Sequence, residues 1–159
     1  MWIAILGGVA VGLLVTIFFV LRQERGYRML FSDTHLIDFG KRLEAARVGA
    51  KATTFEGIGL AWQQLPKHVA LTLTTKRPVA PTAAGFLMAF ANELANKPTP
   101  LAALQTDKRS YALVWEATAI NYERPMLPVT EATLPDLRKS AADAMKALPI
   151  TKASLSAYR

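Results

Sequence analysis

The sequence predicts an α+β fold: a single N-terminal transmembrane helix, then one small domain with helices packed on a two- to three-stranded sheet. Three observations predict it. Residues 2–21, WIAILGGVAVGLLVTIFFVL, are uncharged and apolar throughout. Two later stretches alternate apolar and other residues with the period of a strand. Others repeat apolar residues every three or four positions, as helices do.

The apolar run sets the first element. About 20 such residues in a helix cross the roughly 30 Å hydrocarbon core of a bilayer. A cleaved signal peptide would want a basic leader, a shorter apolar core and a small-residue cleavage site. Here no Lys or Arg precedes the run, and Ile17-Phe18-Phe19-Val20-Leu21 leads directly into Arg22. An anchor over residues 1–21 is the expectation. Within it Ala4, Gly8, Gly12 and Thr16 recur every four residues, a face whose small side chains let another membrane helix approach closely. Leu6, Leu13, Phe18 and Val20 would face lipid. Trp2 at one end and Arg22, Arg25, Tyr27 and Arg28 at the other match interfacial anchors, and the arginines suit anionic lipid headgroups. Positive residues after the run hold that flank in the cytoplasm, so the domain is expected there, with the periplasm as the alternative.

Residues 22–31 read as a basic juxtamembrane connector, 32–149 as the globular domain and 150–159 as a polar tail. Ser32 or Asp33 caps a helix to about Val48, where Gly49 stops it; Leu36, Phe39, Leu43 and Ala46 form its apolar face. Thr54 to Leu65 is ambiguous, because Phe55, Ile58 and Trp62 suit a helix face while Gly57 and Gly59 weaken it. His68 to Thr75 alternates as a half-buried strand with Val69, Leu71 and Leu73 on one side. Thr82 caps a helix to about Asn96, packing through Phe86, Leu87, Phe90 and Leu94, and Lys97-Pro98-Thr99-Pro100 ends it. Leu101 to Leu104 is a short apolar segment. Ser110 to Tyr122 is the most strand-like piece, with Tyr111, Leu113 and Trp115 on one face. Thr133-Leu-Pro-Asp136 opens a last helix, with Pro in its first turn. The strand–helix–strand over 68–122 is compatible with a crossover.

Composition bounds the chemistry. There are 2 histidines and no cysteine, so thiol chemistry and cysteine metal sites are excluded. No phosphate-binding loop, nucleophile elbow or zinc-protease motif is present. The nearest acid and histidine cluster, Asp33, His35 and Asp38, reads as a cap and a solvated helix face. Glu116, in an apolar strand, reads as a solvent-facing carboxylate or a partner of Arg124. No catalytic residue, metal site or cofactor is expected. The net charge of +7 is spread over pairs such as Lys76-Arg77, Lys108-Arg109 and Arg138-Lys139, without the aromatic platforms that single-stranded nucleic-acid binding uses. Two of these pairs fall in turns and are able to meet.

The functional expectation is a non-catalytic, single-span subunit of a larger inner-membrane complex of the secretion, conjugation, pilus or respiratory type. Its partners are other membrane subunits and anionic lipid headgroups, with nucleic acid disfavoured. The alternative is a membrane-tethered binding module for nucleic acid or an acidic protein.

Overall fold

Alternation in His68–Thr75 and Ser110–Glu116 places large apolar side chains on one side of each strand, and burial of that side organises the domain. The computed structural model describes residues 12–15, 17, 32–49, 51–76 and 79–159. Its strands are β1 (Thr53–Phe55), β2 (Ile58–Gln64), β3 (His68–Thr75), β4 (Ala102–Asp107), β5 (Ser110–Glu116) and β6 (Ile150–Lys152). Its helices are α1 (Asp33–Gly49), α2 (Pro81–Leu94) and α3 (Leu134–Lys146). The strands form one sheet in the order β1-β2-β3-β5-β4-β6. Neighbours are antiparallel except β4 and β6, which are parallel.

The expected sheet of two or three strands is therefore corrected to a six-stranded mixed sheet, and three of the added strands have identifiable causes. Glu56 and Gly57 both have positive φ, 46° and 77°, so Phe55 and Ile58 pair across a two-residue turn. That is the turn whose twist matches antiparallel strands, and glycine takes its second position without steric cost. The glycine that weakened a helix reading marks a hairpin. Leu101–Leu104 lies in the segment that becomes β4, folding back on β5 through Lys108-Arg109, where the Asp107 carboxylate accepts the Arg109 backbone N–H at 2.6 Å. Because β4 reverses the chain, β3 and β5 pair antiparallel, and the crossover runs from β3 through α2 to β4 with β5 inserted between them. Residues 150–159 supply β6 and a short 3₁₀ turn, Leu155–Tyr158.

The expected transmembrane helix over residues 1–21, and with it the reading of a bitopic inner-membrane protein, is also corrected. Among the described residues no helix is long and apolar enough to cross a membrane. Of that run only residues 12–15 and 17 are described; they are helical, and Leu13, Leu14, Val15 and Ile17 are exposed. Gly12 is the one expected packing-face residue among them, and a Cβ there would meet nothing within 4 Å. Ala4, Gly8, Thr16, Trp2, Arg22, Arg25, Tyr27 and Arg28 lie outside the described residues.

Helices α1, α2 and α3 cover one face of the sheet. Leu36, Phe39, Leu43 and Ala46 of α1 are buried, as their spacing predicts. Ser32 caps α1, its hydroxyl accepting the His35 backbone N–H at 3.3 Å. Helix α2 starts at Pro81, a residue whose missing N–H costs nothing at a helix start, and is buried from Ala83 through Leu94. After it Asn96 and Lys97 adopt φ of 68° and 55° and turn the chain, leaving Lys97 Nζ 3.4 Å from the buried Glu93 carboxylate. Gly40 of α1 lets the loop residue Val129 press close, since a Cβ would stand 2.6 Å from its methyl.

Two tryptophans join the layers. Trp62 of β2 and Trp115 of β5 stack with centroids 5.6 Å apart across the intervening β3. The Trp62 indole N–H donates to the Leu43 carbonyl of α1 at 3.2 Å, and that of Trp115 to the Asn92 side chain of α2 at 2.8 Å. A buried donor left unmet costs about 1–3 kcal/mol. Asn92→Leu, which keeps volume and removes the acceptor, is expected to lower unfolding free energy by about 2 kcal/mol in urea titration. Asn92→Gln should recover part of it.

Candidate functional site

The opposite face of the sheet carries Ala61 and Gln63 of β2, Ala70, Thr72 and Thr74 of β3, and Ser110, Ala112 and Val114 of β5, paired in register. These side chains are small or hydroxylated, because alternation that sends Leu71, Leu73, Leu113 and Trp115 to the core leaves their neighbours here. None of α1, α2 and α3 covers them. The segment after β6 crosses instead: Leu155 packs on Ala70, Leu104, Ala112 and Val114 as a second, small apolar cluster. His68 holds its far end, with Nδ1 2.8 Å from the Tyr158 carbonyl and the two rings edge to face at 5.3 Å. A carbonyl only accepts, so Nδ1 carries the proton in this contact.

Where the segment does not reach, a cleft of about 290 Å³ remains, lined by Gln63, Thr72, Thr74, Thr106, Ser110 and Ser154. Leu155 and Arg159 close one side, and the buried Tyr111 contributes to the floor. Thr106 and Ser154 also line a second hollow of about 410 Å³ bordered by Gln105, Asp107, Lys108 and Lys152. The two adjoining hollows at the β3–β5–β4–β6 end of the sheet are called the groove below.

That end is basic. The Arg109 carbonyl accepts both the Thr75 N–H at 2.8 Å and the Thr75 hydroxyl at 3.3 Å, which sets Lys76 beside the Lys108-Arg109 turn. Of the first charged pair only Lys76 is placed; Arg77 lies outside the described residues. Lys76, Lys108, Arg109, Lys152 and Arg159 are exposed. Among the described residues none of these five has a carboxylate partner. Each of the six ion pairs found involves the helix layer: Arg42–Asp38 at 2.7 Å, Arg47–Glu44 at 2.9 Å and Arg138–Asp33 at 2.6 Å are the shortest. Nearby acids are occupied, Asp107 by the Arg109 N–H and Glu56 by His35 at 3.6 Å.

The residues examined for chemistry fall apart in space. Asp33 pairs with Arg138 and Asp38 with Arg42. His35 sits between the Ser32 hydroxyl, 2.6 Å from Nδ1, and Glu56, pinning the start of α1 to the β1–β2 turn. No group of three His, Asp or Glu among the described residues is placed to hold a metal ion. Glu116 ends β5 exposed, opposite His68 in the ladder, and Arg124 is elsewhere.

Arg124 lies with Arg47 around a separate cleft of about 160 Å³. Arg47 is buried, 5% exposed. It grips Glu44 through Nε and Nη2, donates to the Tyr122 and Arg124 carbonyls at 3.5 and 3.2 Å, and lies 5.7 Å from the Tyr122 ring centroid. With its donors engaged, this guanidinium anchors the loop after β5 to α1. The sequence carried no sign of this beyond an arginine next to a buried stripe.

The groove's hydroxyls and the last segment's part in it were not anticipated either. The available signal was a strand face made of Ala, Thr and Ser, which reads equally as solvent-exposed. No family model, curated protein or solved structure matches the chain.

Burial raises the Tyr111 phenol above its ordinary value of 10.0, and its hydroxyl donates to the Val79 carbonyl at 3.1 Å. A folded-state value above the unfolded one leaves stability intact below about pH 10 and removes it as pH rises, because the unfolded chain releases the proton first. Tyr111→Phe should flatten the alkaline fall in unfolding free energy above about pH 10, at a cost near neutral pH of about 1 kcal/mol for the lost hydrogen bond.

Proposed function

We propose that this chain is a non-catalytic subunit of a larger protein assembly, its α+β domain acting as a contact module. One observation carries the reading: among the described residues a six-stranded sheet has its second face only partly covered, and the uncovered part is a polar groove whose basic rim has no carboxylate partner there. A sheet covered on one side needs no further layer to fold, so the second face is free to present groups to a partner. The titratable residues considered as catalytic have structural engagements instead: His35 at a helix cap and His68 on the segment that crosses the sheet. The open face carries small and polar side chains, as interface rims do, and the cations on it steer acidic surfaces toward it.

The location in this reading is a membrane, with the domain on its cytoplasmic side. It rests on the apolar and basic composition of residues 2–28 alone and not on a membrane-crossing helix, of which the described residues show none. A reporter fused after Arg159 is expected to behave as cytoplasmic, and alkaline phosphatase activity from the same fusion would overturn the orientation.

Assembly is tested directly. The tagged full chain, expressed at native level and isolated in mild detergent, should emerge with the same protein partner at fixed stoichiometry by mass spectrometry in independent preparations. Recovery as a lone chain, or turnover of a substrate by the purified chain, would refute the reading.

A further inference from the structure

We infer that the groove on the uncovered sheet face binds an acidic polypeptide segment of a partner protein. This rests on the assembly reading and names the chemistry of the partner. Three features select the ligand. Lys108, Lys152 and Arg159 border the groove, and Lys76 and Arg109 stand at the same end of the sheet. These charges have no carboxylate partner among the described residues; Lys41 and Lys139 on the helix side share that property, so it is the gathering of five cations at the grooved end of the sheet that selects the ligand. Between the cations lie the hydroxyls of Thr74, Thr106, Ser110 and Ser154. Hydroxyls donate to carboxylate oxygens and also accept from peptide N–H groups, so a floor of this kind suits an extended polypeptide bearing Glu and Asp.

A nucleic acid fits less well. Single strands bind over aromatic faces on which bases stack, along a positively charged track. The groove's one lining aromatic, Tyr111, is 1% exposed with its ring in the core, and Tyr158 is turned edge-on to His68. The cations also gather at one end of the sheet rather than along its length.

The test uses the full chain in non-ionic detergent and a fluorescein-labelled ten-residue peptide of alternating Glu and Ser, read by anisotropy. Its Gln–Ser counterpart and an oligothymidylate of equal charge serve as comparisons. The Glu–Ser peptide should bind, more weakly as salt rises. Lys108→Glu combined with Lys152→Glu should weaken it about tenfold, consistent with two exposed charges reversed. Both residues are exposed, so the melting temperature should hold. Lys41→Glu with Lys139→Glu, equal in charge change and on the helix side, should stay within about twofold. Arg159→Gln provides a milder variant, expected to weaken binding severalfold.

Equal loss from the helix-side pair, tighter binding of the oligothymidylate, or no preference for Glu–Ser over Gln–Ser would each overturn the inference. The same groove variant separates it from the assembly reading. If the variant still assembles at wild-type stoichiometry while the wild-type chain ignores the peptide, the assembly reading stands and this inference falls. If the peptide binds as expected but the wild-type chain isolates alone, the reverse holds.

Discussion

The stacked indoles of Trp62 and Trp115 lie between the sheet and the helices, and each carries an N–H that burial would leave unmet without an acceptor on a helix. That requirement fixes more than two hydrogen bonds. To reach the Leu43 carbonyl, β2 must lie under the C-terminal half of α1; to reach Asn92, β5 must lie under the end of α2. The strands in between are then held in register, since Leu71 of β3 faces Trp62 on one side and Leu113 on the other. Large apolar area supplies most of the stabilisation, but area alone has no direction. The indole donors give it one.

Committing most large side chains of the central strands to the helix side has a consequence for the opposite face. A strand residue pointing away from Leu71, Leu113 or Trp115 has no helix to meet, so Ala, Thr and Ser there create no cavity and no buried demand. Coverage of that face falls to Leu155 and its neighbours, a small cluster joined to the sheet through the parallel pairing of β6 with β4. The segment is too short to span the sheet, and the groove is what remains. Its basic character follows from the turns: the β3 end and the β4–β5 turn are tied together through the Arg109 carbonyl, and both carry lysine or arginine because tight surface turns tolerate long charged side chains.

Polar groups inside the helix layer obey the opposite rule. Arg47 is buried and consequently fully engaged, through Glu44 and two loop carbonyls. Arg109 and Lys152 are exposed and have no carboxylate partner among the described residues. The contrast separates a cation that holds the loop after β5 in place from cations available to another molecule, and net charge by itself does not distinguish them.

Much of the domain was legible in its sequence, because burial of a single face imposes a period that composition displays. Leu36, Phe39, Leu43 and Ala46, or Val69, Leu71 and Leu73, need no tertiary knowledge to be assigned inward, and Pro135 marks a helix start through the fixed geometry of proline, whereas the cap expected at Thr82 falls at Ala80 with Pro81 opening the helix. The tertiary structure alone decided the rest. Ile150–Lys152 is too short and polar to declare itself a strand and becomes one only against the waiting edge of β4. Glu56-Gly57 is a hairpin turn only once β1 and β2 have each other to pair with. The apolar run of residues 2–21 is fixed by composition, whereas among the described residues no helix is long and apolar enough to cross a membrane. The groove was illegible for a simpler reason: it is assembled from residues between 63 and 159 that are small, polar and unremarkable along the chain, and only strand pairing brings their hydroxyls beside Lys108, Lys152 and Arg159.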